Sequence, residues 1–250
     1  MKLSLKLVLA AGLLQPLCGL PAPAAQAQPQ TDAHYEQALA LVEILHPFDQ
    51  MLALNLKGWE MTAQKTFALD PGMAKLEAQY PGAIKAAMEA ARPHAREFCV
   101  EFVRRATKLK AETFSRRLTP AEIGELRTFY GTPAGKRIVA TAYANMNLEP
   151  IAAQIASQAQ NGEAEISSAQ LKQVEQAALR KTVGEISADD QLAAMRFGQK
   201  PVATKFLAVR EESERALLEL ANSPDPATIA KQREAAAAGV IAFVERSKAK

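Results

Sequence analysis

Residues 118–136 read Leu-Thr-Pro-Ala-Glu-Ile-Gly-Glu-Leu-Arg-Thr-Phe-Tyr-Gly-Thr-Pro-Ala-Gly-Lys and hold two helix starts and one stop within nineteen positions. Thr119 is placed to cap the first helix through its hydroxyl. Pro120 sits at the first helical position, where its missing N–H costs nothing, and Glu122 at the third completes a capping box. Ile123, Leu126, Phe129 and Tyr130 then fall on one helical face. Gly131 reads as the stop. Thr132-Pro133 starts a second helix with Ile138, Val139, Ala142, Tyr143 and Met146 on its inner face. So short a join predicts a tight corner with Phe129 and Tyr130 inside it, and Gly135 as the point where two helices approach closely.

The same grammar returns 68 residues later. Ile186-Ser187-Ala188-Asp189-Asp190 matches Leu118 to Glu122, and at that offset Phe129 pairs with Phe197, Pro133 with Pro201, Gly135 with Ala203, Arg137 with Lys205 and Ile138 with Phe206. Capping alone demands the hydroxyl and the acid but not the distance from Phe to Pro. The expectation is an internal duplication of a helical hairpin, with a weaker copy over 186–206. A third start, Ile166-Ser167-Ser168-Ala169-Gln170, lacks the later Phe and Pro.

Outward from this pair the chain keeps helical spacing. Asp32 is a candidate N-cap for a helix carrying Tyr35, Ala38, Leu39, Val42 and Leu45, interrupted by Pro47. A second amphipathic piece runs through Met51, Leu52 and Leu56 to Trp59. Asp70-Pro71-Gly72 and Tyr80-Pro81-Gly82 read as turns, and Pro93 as a break or a new helix start in the long stretch that follows. Beyond it Phe98, Phe102, Ala106 and Leu109 repeat at helical spacing. A final helix spans 226–247 with Ile229, Ala236, Val240, Phe243 and Val244 inward.

Composition agrees. Fifty of the 250 residues are alanine, aromatics are 6% and charged residues 23%. Alanine favours helix and adds little side-chain volume, which predicts closely packed helices. No segment alternates with a period of two, so the expected class is all-α: a multi-helix bundle of helical hairpins without a sheet. We divide the chain into 1–27, a helical region over 28–115, and a second over 116–250 that contains the motif.

The first 27 residues form an address label. Lys2 and Lys6 give a positive start, the run from Leu3 to Leu14 is otherwise almost wholly apolar, and small residues end in Ala25-Gln26-Ala27. This is the pattern of a cleaved secretory signal peptide, and the run is too short to span a bilayer. Gln15-Pro16-Leu17 before Cys18 is not the small-residue site that a lipid anchor needs. Cleavage after Ala27 removes two lysines and no acid, leaving 28 cationic against 27 acidic residues. So balanced a chain gives no electrostatic case for nucleic acid. One cysteine, Cys99, would remain, so no internal disulfide can form and the fold rests on burial.

The stretch from Leu118 to Lys136 resembles a bacterial family known as domain of unknown function 2059. The likeness covers about twenty residues closely, with flanks over 90–160. It is carried by Thr119, Pro120, Glu122, Phe129, Tyr130, Gly131, Pro133 and Gly135. The resemblance implies an all-helical, exported, periplasmic protein and no assigned activity.

The residues offer no catalytic constellation. The three histidines, His34, His46 and His94, lack metal-ligand spacing. Cys99 has acids beside it and His94 five residues away, so a packed thiol outweighs a nucleophile. No phosphate loop, dinucleotide fingerprint or nucleophile elbow occurs. No cofactor, metal or catalytic residue is therefore assigned, and the chain is not read as an enzyme. The first functional reading is a non-enzymatic interaction or chaperone-like protein of the periplasm, offering a groove to an envelope protein or peptide. The alternative is a carrier of a lipid or other small apolar ligand, with a cavity lined by Phe98, Phe102, Phe129 and Tyr130.

Overall fold

A computed structural model describes residues 32–159, 165–223 and 225–249. The leader expected over 1–27, with its cleavage site and Cys18, lies outside the described residues. Those that are described form eleven helices and no strand: α1 (Asp32–Leu45), α2 (Phe48–Leu69), α3 (Pro71–Gln79), α4 (Ala83–Arg117), α5 (Pro120–Tyr130), α6 (Pro133–Ala144), α7 (Glu149–Ala159), α8 (Ser168–Glu185), α9 (Ala188–Gly198), α10 (Pro201–Ala221) and α11 (Pro226–Lys248). None of them is long and apolar enough to cross a membrane.

Helix α4 is the axis on which α1, α2, α10 and α11 pack. It runs through Pro93 without a break, contrary to the sequence expectation. The ring removes one backbone donor, which leaves the Glu89 carbonyl without its helical partner. Both residues are exposed, so water can serve that carbonyl. On the inner side Ala83, Ala87, Ala91 and Ala95 recur every four residues, all buried. Against them Gly239 of α11 comes so close that a Cβ there would stand 2.5 Å from the Ala90 Cβ. The alanine content is thus used to bring two long helices together.

Asp70-Pro71 starts a helix rather than merely a turn. Asp70 accepts from the Met73 amide at 2.7 Å and Pro71 occupies the first position of α3. The turn at Tyr80-Pro81-Gly82 is made by Gly82 at φ +103°, a conformation that favours glycine. Helix α7 carries no cap signal strong enough to be read from sequence, and its apolar residues Ile151 and Ile155 pack with α8 through Val174.

The α5–α6 corner is built on its caps. Thr119 and Glu122 form the capping box, and Thr132 accepts from the Gly135 amide at 3.1 Å. Gly131 ends α5 with ordinary right-handed backbone at φ −74°, not the left-handed stop. Glycine is needed there for space, since a Cβ would lie 2.7 Å from the Arg127 carbonyl oxygen. Gly135 is tighter still: its Cβ would fall 2.4 Å from the Phe129 oxygen and 2.6 Å from the Tyr130 Cα.

The two similar segments meet face to face. Helix α6 packs on α8 and α9, while α10 packs on α4 and α5. Glu122 of the first segment takes Lys205 of the second, with Nζ 2.6 Å from Oε2. Asp190, at the position equivalent to Glu122, takes Arg137, at the position equivalent to Lys205, through two bonds of 2.8 and 2.6 Å. Phe129 stacks on its own equivalent, Phe197, with centroids 4.0 Å apart and planes 2° from parallel. These acid–base and aromatic contacts are thus answered by mirror contacts, as across a two-fold axis, whereas Lys200 with Glu125 at 3.2 Å has no mirror pair.

Candidate functional site: an apolar chamber with a polar pole

A chamber of about 630 Å³ lies between α2, α4, α6, α7, α8 and α10. This is within the ~300–1,000 Å³ usual for small-molecule sites. Its walls are mainly apolar: Met51, Leu54 and Trp59 from α2, Phe98 and Phe102 from α4, Ile151 and Ile155 from α7, and Leu217 from α10. Trp59 is anchored by its indole N–H to Gln232 Oε1 at 3.2 Å. The chamber reaches the surface between α8 and α10, where exposed Lys172, Leu179 and Glu211 line its rim and Lys172 pairs with Glu211 at 3.5 Å.

Of the four residues expected to line such a chamber, Phe98 and Phe102 do so, and Phe129 and Tyr130 do not. The close approach at Gly135 turns those two rings toward α9 and α10. There Tyr130 meets Phe197 edge-on at 5.8 Å and packs on Phe206 at 6.1 Å. Thr119, Pro120, Glu122, Gly131, Pro133 and Gly135 likewise build the corner and not the chamber wall. The face of α6 expected inside, Ile138, Val139, Ala142, Tyr143 and Met146, is only half-buried. Three of these, Ala142, Tyr143 and Met146, line the chamber.

One end of the chamber is polar. Lys110 is 4% exposed, and its Nζ lies 2.9 Å from His46 Nε2. His46 Nδ1 lies 2.8 Å from Tyr143 Oη. Beside them Arg210 Nε stands 2.5 Å from Glu214 Oε1, and its Nη2 lies 3.5 Å from Glu175 Oε2. Burial pulls Lys110 down to about 8, against the opposing pull of Glu214 and Glu175. Burial, and then the charges of Lys110 and Arg210, hold His46 well below its ordinary value, so the ring is neutral. Burial, and then repulsion from Glu214, raises Glu175.

Sequence reasoning passed over this pole, although part of the signal was present. Cys99, Val103, Ala106, Lys110 and Phe114 share the buried stripe of α4, and a lysine on such a stripe is out of place. Arg210 follows Phe206 by one turn on α10. At the 68-residue offset Lys110 corresponds to Ala178 and Arg210 to Ala142, both chamber-lining. Large cations on one side and alanines on the other leave the space between. Cys99 is buried on the chamber wall, with its thiol pushed by burial up to about 12, so no thiolate forms near neutral pH. His34 Nε2 donates elsewhere, to the Leu118 carbonyl oxygen at 3.0 Å, and His94 lies 3.6 Å from Glu97. Among the described residues no three His, Cys, Asp or Glu side chains gather as metal ligands would.

These features define a class: an all-helical protein with an apolar chamber closed at one end by a polar cluster. The model of a family described as an uncharacterized protein conserved in bacteria (DUF2059) matches residues 105–161. That segment spans the end of α4 through α7 and holds Lys110 and Tyr143, whereas His46, Glu175, Arg210 and Glu214 lie outside it. No curated protein and no solved structure matches the chain.

Proposed function

We propose that this is a non-enzymatic carrier, exported to the bacterial periplasm, that holds a small apolar molecule in its central chamber. The observation that carries the reading is the chamber itself. An opening of some 630 Å³ lined by Trp59, Phe98 and Phe102 leaves apolar surface facing water, and an apolar ligand would cover it. Titration with an apolar fluorophore, followed by transfer from Trp59, tests it: saturable one-to-one binding supports the carrier, and none refutes it. Export rests on the leader pattern, and N-terminal sequencing of the periplasmic protein should begin at Gln28.

The mirrored contacts support a second part of the proposal, that residues 186–206 duplicate 118–138. A pair of unrelated segments has no reason to exchange both acid–base pairs and to stack equivalent phenylalanines.

One observation favours the interaction reading as an additional role. Leu179 and Val183 of α8 and Leu192 and Met195 of α9 are exposed. By the 68-residue correspondence Leu179 stands where Ala111 is buried with α1, and no helix of the described residues covers α8 in the same way. A photo-crosslinker placed at Met195 should capture a helical envelope partner in cells under this reading, and nothing without it.

A further inference from the structure

Lys110 is a buried charge with no carboxylate in direct contact: Glu214 and Glu175 act on its ammonium only from beyond 4 Å. Its Nζ has His46 Nε2 as partner at 2.9 Å, and no carboxylate of the described residues stands within 4 Å. A buried ammonium without a paired anion is strongly unfavourable. Arg210, the other cation at this end, is already held by Glu214 and Glu175.

The hydrogen-bond directions sharpen the case. An ammonium only donates, so His46 Nε2 must accept. The neutral ring then carries its proton on Nδ1 and donates it to Tyr143 Oη, an assignment made from the network. This leaves the Tyr143 hydroxyl proton, together with the remaining Lys110 protons, to donate outward. Both residues line the chamber. The polar end therefore turns the Lys110 and Tyr143 donors toward an apolar space, with Arg210, Glu175 and Glu214 beside them.

Resting on the carrier reading, we propose that the ligand is a single-chain amphiphile with a carboxylate head. Lys110 Nζ and Tyr143 Oη hold the head, and the chain lies against Phe98, Phe102 and Leu217. Arg210 does not bind the head; its guanidinium is held by Glu214 and Glu175. The carboxylate completes the ion pair that the fold leaves open, and charge-assisted bonds of this kind are the stronger ones.

Calorimetry on the delipidated mature protein tests this with three probes: hexadecanoate, 1-hexadecanol and hexadecyl phosphate. Hexadecanoate is expected to bind one-to-one, about tenfold or more tighter than the alcohol and tighter than the phosphate. Lys110→Met should weaken hexadecanoate by about tenfold or more and leave the alcohol unchanged, which also shows that the variant is folded. Tyr143→Phe should weaken hexadecanoate less. Equal binding of acid and alcohol, or an unchanged Lys110→Met, overturns the head-group assignment while the carrier reading survives. Preference for the phosphate overturns the carboxylate. Binding of none of the three overturns the assignment and the carrier reading together.

Discussion

Lys110 sets the terms at the scale of single residues. Unfolded, its ammonium titrates near 10.5; folded, near 8. Between those values the unfolded chain binds more protons, so the contribution of this residue to stability rises with pH across that window and is withheld below it. At pH 7 the shift amounts to roughly 3 kcal/mol against the fold. Lys110→Met removes that cost but leaves His46 Nε2 without its donor, worth about 1 kcal/mol. The variant without ligand should therefore be more stable than the parent at pH 7 by about 2 kcal/mol in urea unfolding. It should also lack the parent's rise between pH 8 and 9. Equal stability of the two proteins at pH 7 would show that the charge is already compensated.

Two glycines give a contrasting pair. At Gly135 a methyl group would overlap the Phe129 oxygen, and Gly135→Ala should cost about 2 kcal/mol or more. At Gly124 a Cβ meets nothing within 4 Å, and Gly124→Ala should stabilise by up to about 1 kcal/mol through helix propensity. Thermal melts of both variants check the signs. The role of Gly135 as a close-approach point was legible because it follows a Thr-Pro start by two residues. Lys110 was legible only as an anomaly on a helical stripe, since its partners come from distant elements: His46 sits just beyond α1 and Tyr143 on α6.

Among the helices, the start signals with a hydroxyl, a proline or an acid at fixed spacing were readable without a structure. Thr119, Ser167 and Ser187 each cap a helix through their side chains. Proline was the less faithful guide. Pro93 lies inside α4 because its surroundings are solvated on one side and packed on the other. Pro71 opens α3 because Asp70 caps it. The meeting of the two similar segments could not be read from either alone. It depends on exchanging partners: Asp190 completes no capping box with the backbone of its own cap, as Glu122 does, and takes Arg137 across the contact. Asp190 is 2% exposed, whereas the Glu122 pair is open to solvent. Asp190→Asn should therefore lower the urea midpoint more than Glu122→Gln. The reverse order would mean that the two mirrored pairs do not carry unequal weight.

For the whole molecule, the all-helical class followed from composition and spacing, but the chamber did not. A cavity is a property of how six helices fail to fill the space between them, and no local pattern encodes it. The expected lining was half right for this reason: Phe98 and Phe102 sit on α4, whose position is central, while the α5–α6 corner directs Phe129 and Tyr130 away. Filling the space should separate binding from stability. Ala142→Leu adds volume to the chamber wall and should weaken ligand binding by calorimetry while leaving the melting temperature unchanged or higher. A drop in melting temperature with binding intact would place Ala142 in packed core.

Native mass spectrometry of the protein, released gently from the cells that make it and paired with solvent extraction, tests the carrier account most directly. The account predicts one protein chain carrying one small apolar species that organic solvent removes. A bare chain mass in every preparation, with no uptake of added amphiphile, would contradict it.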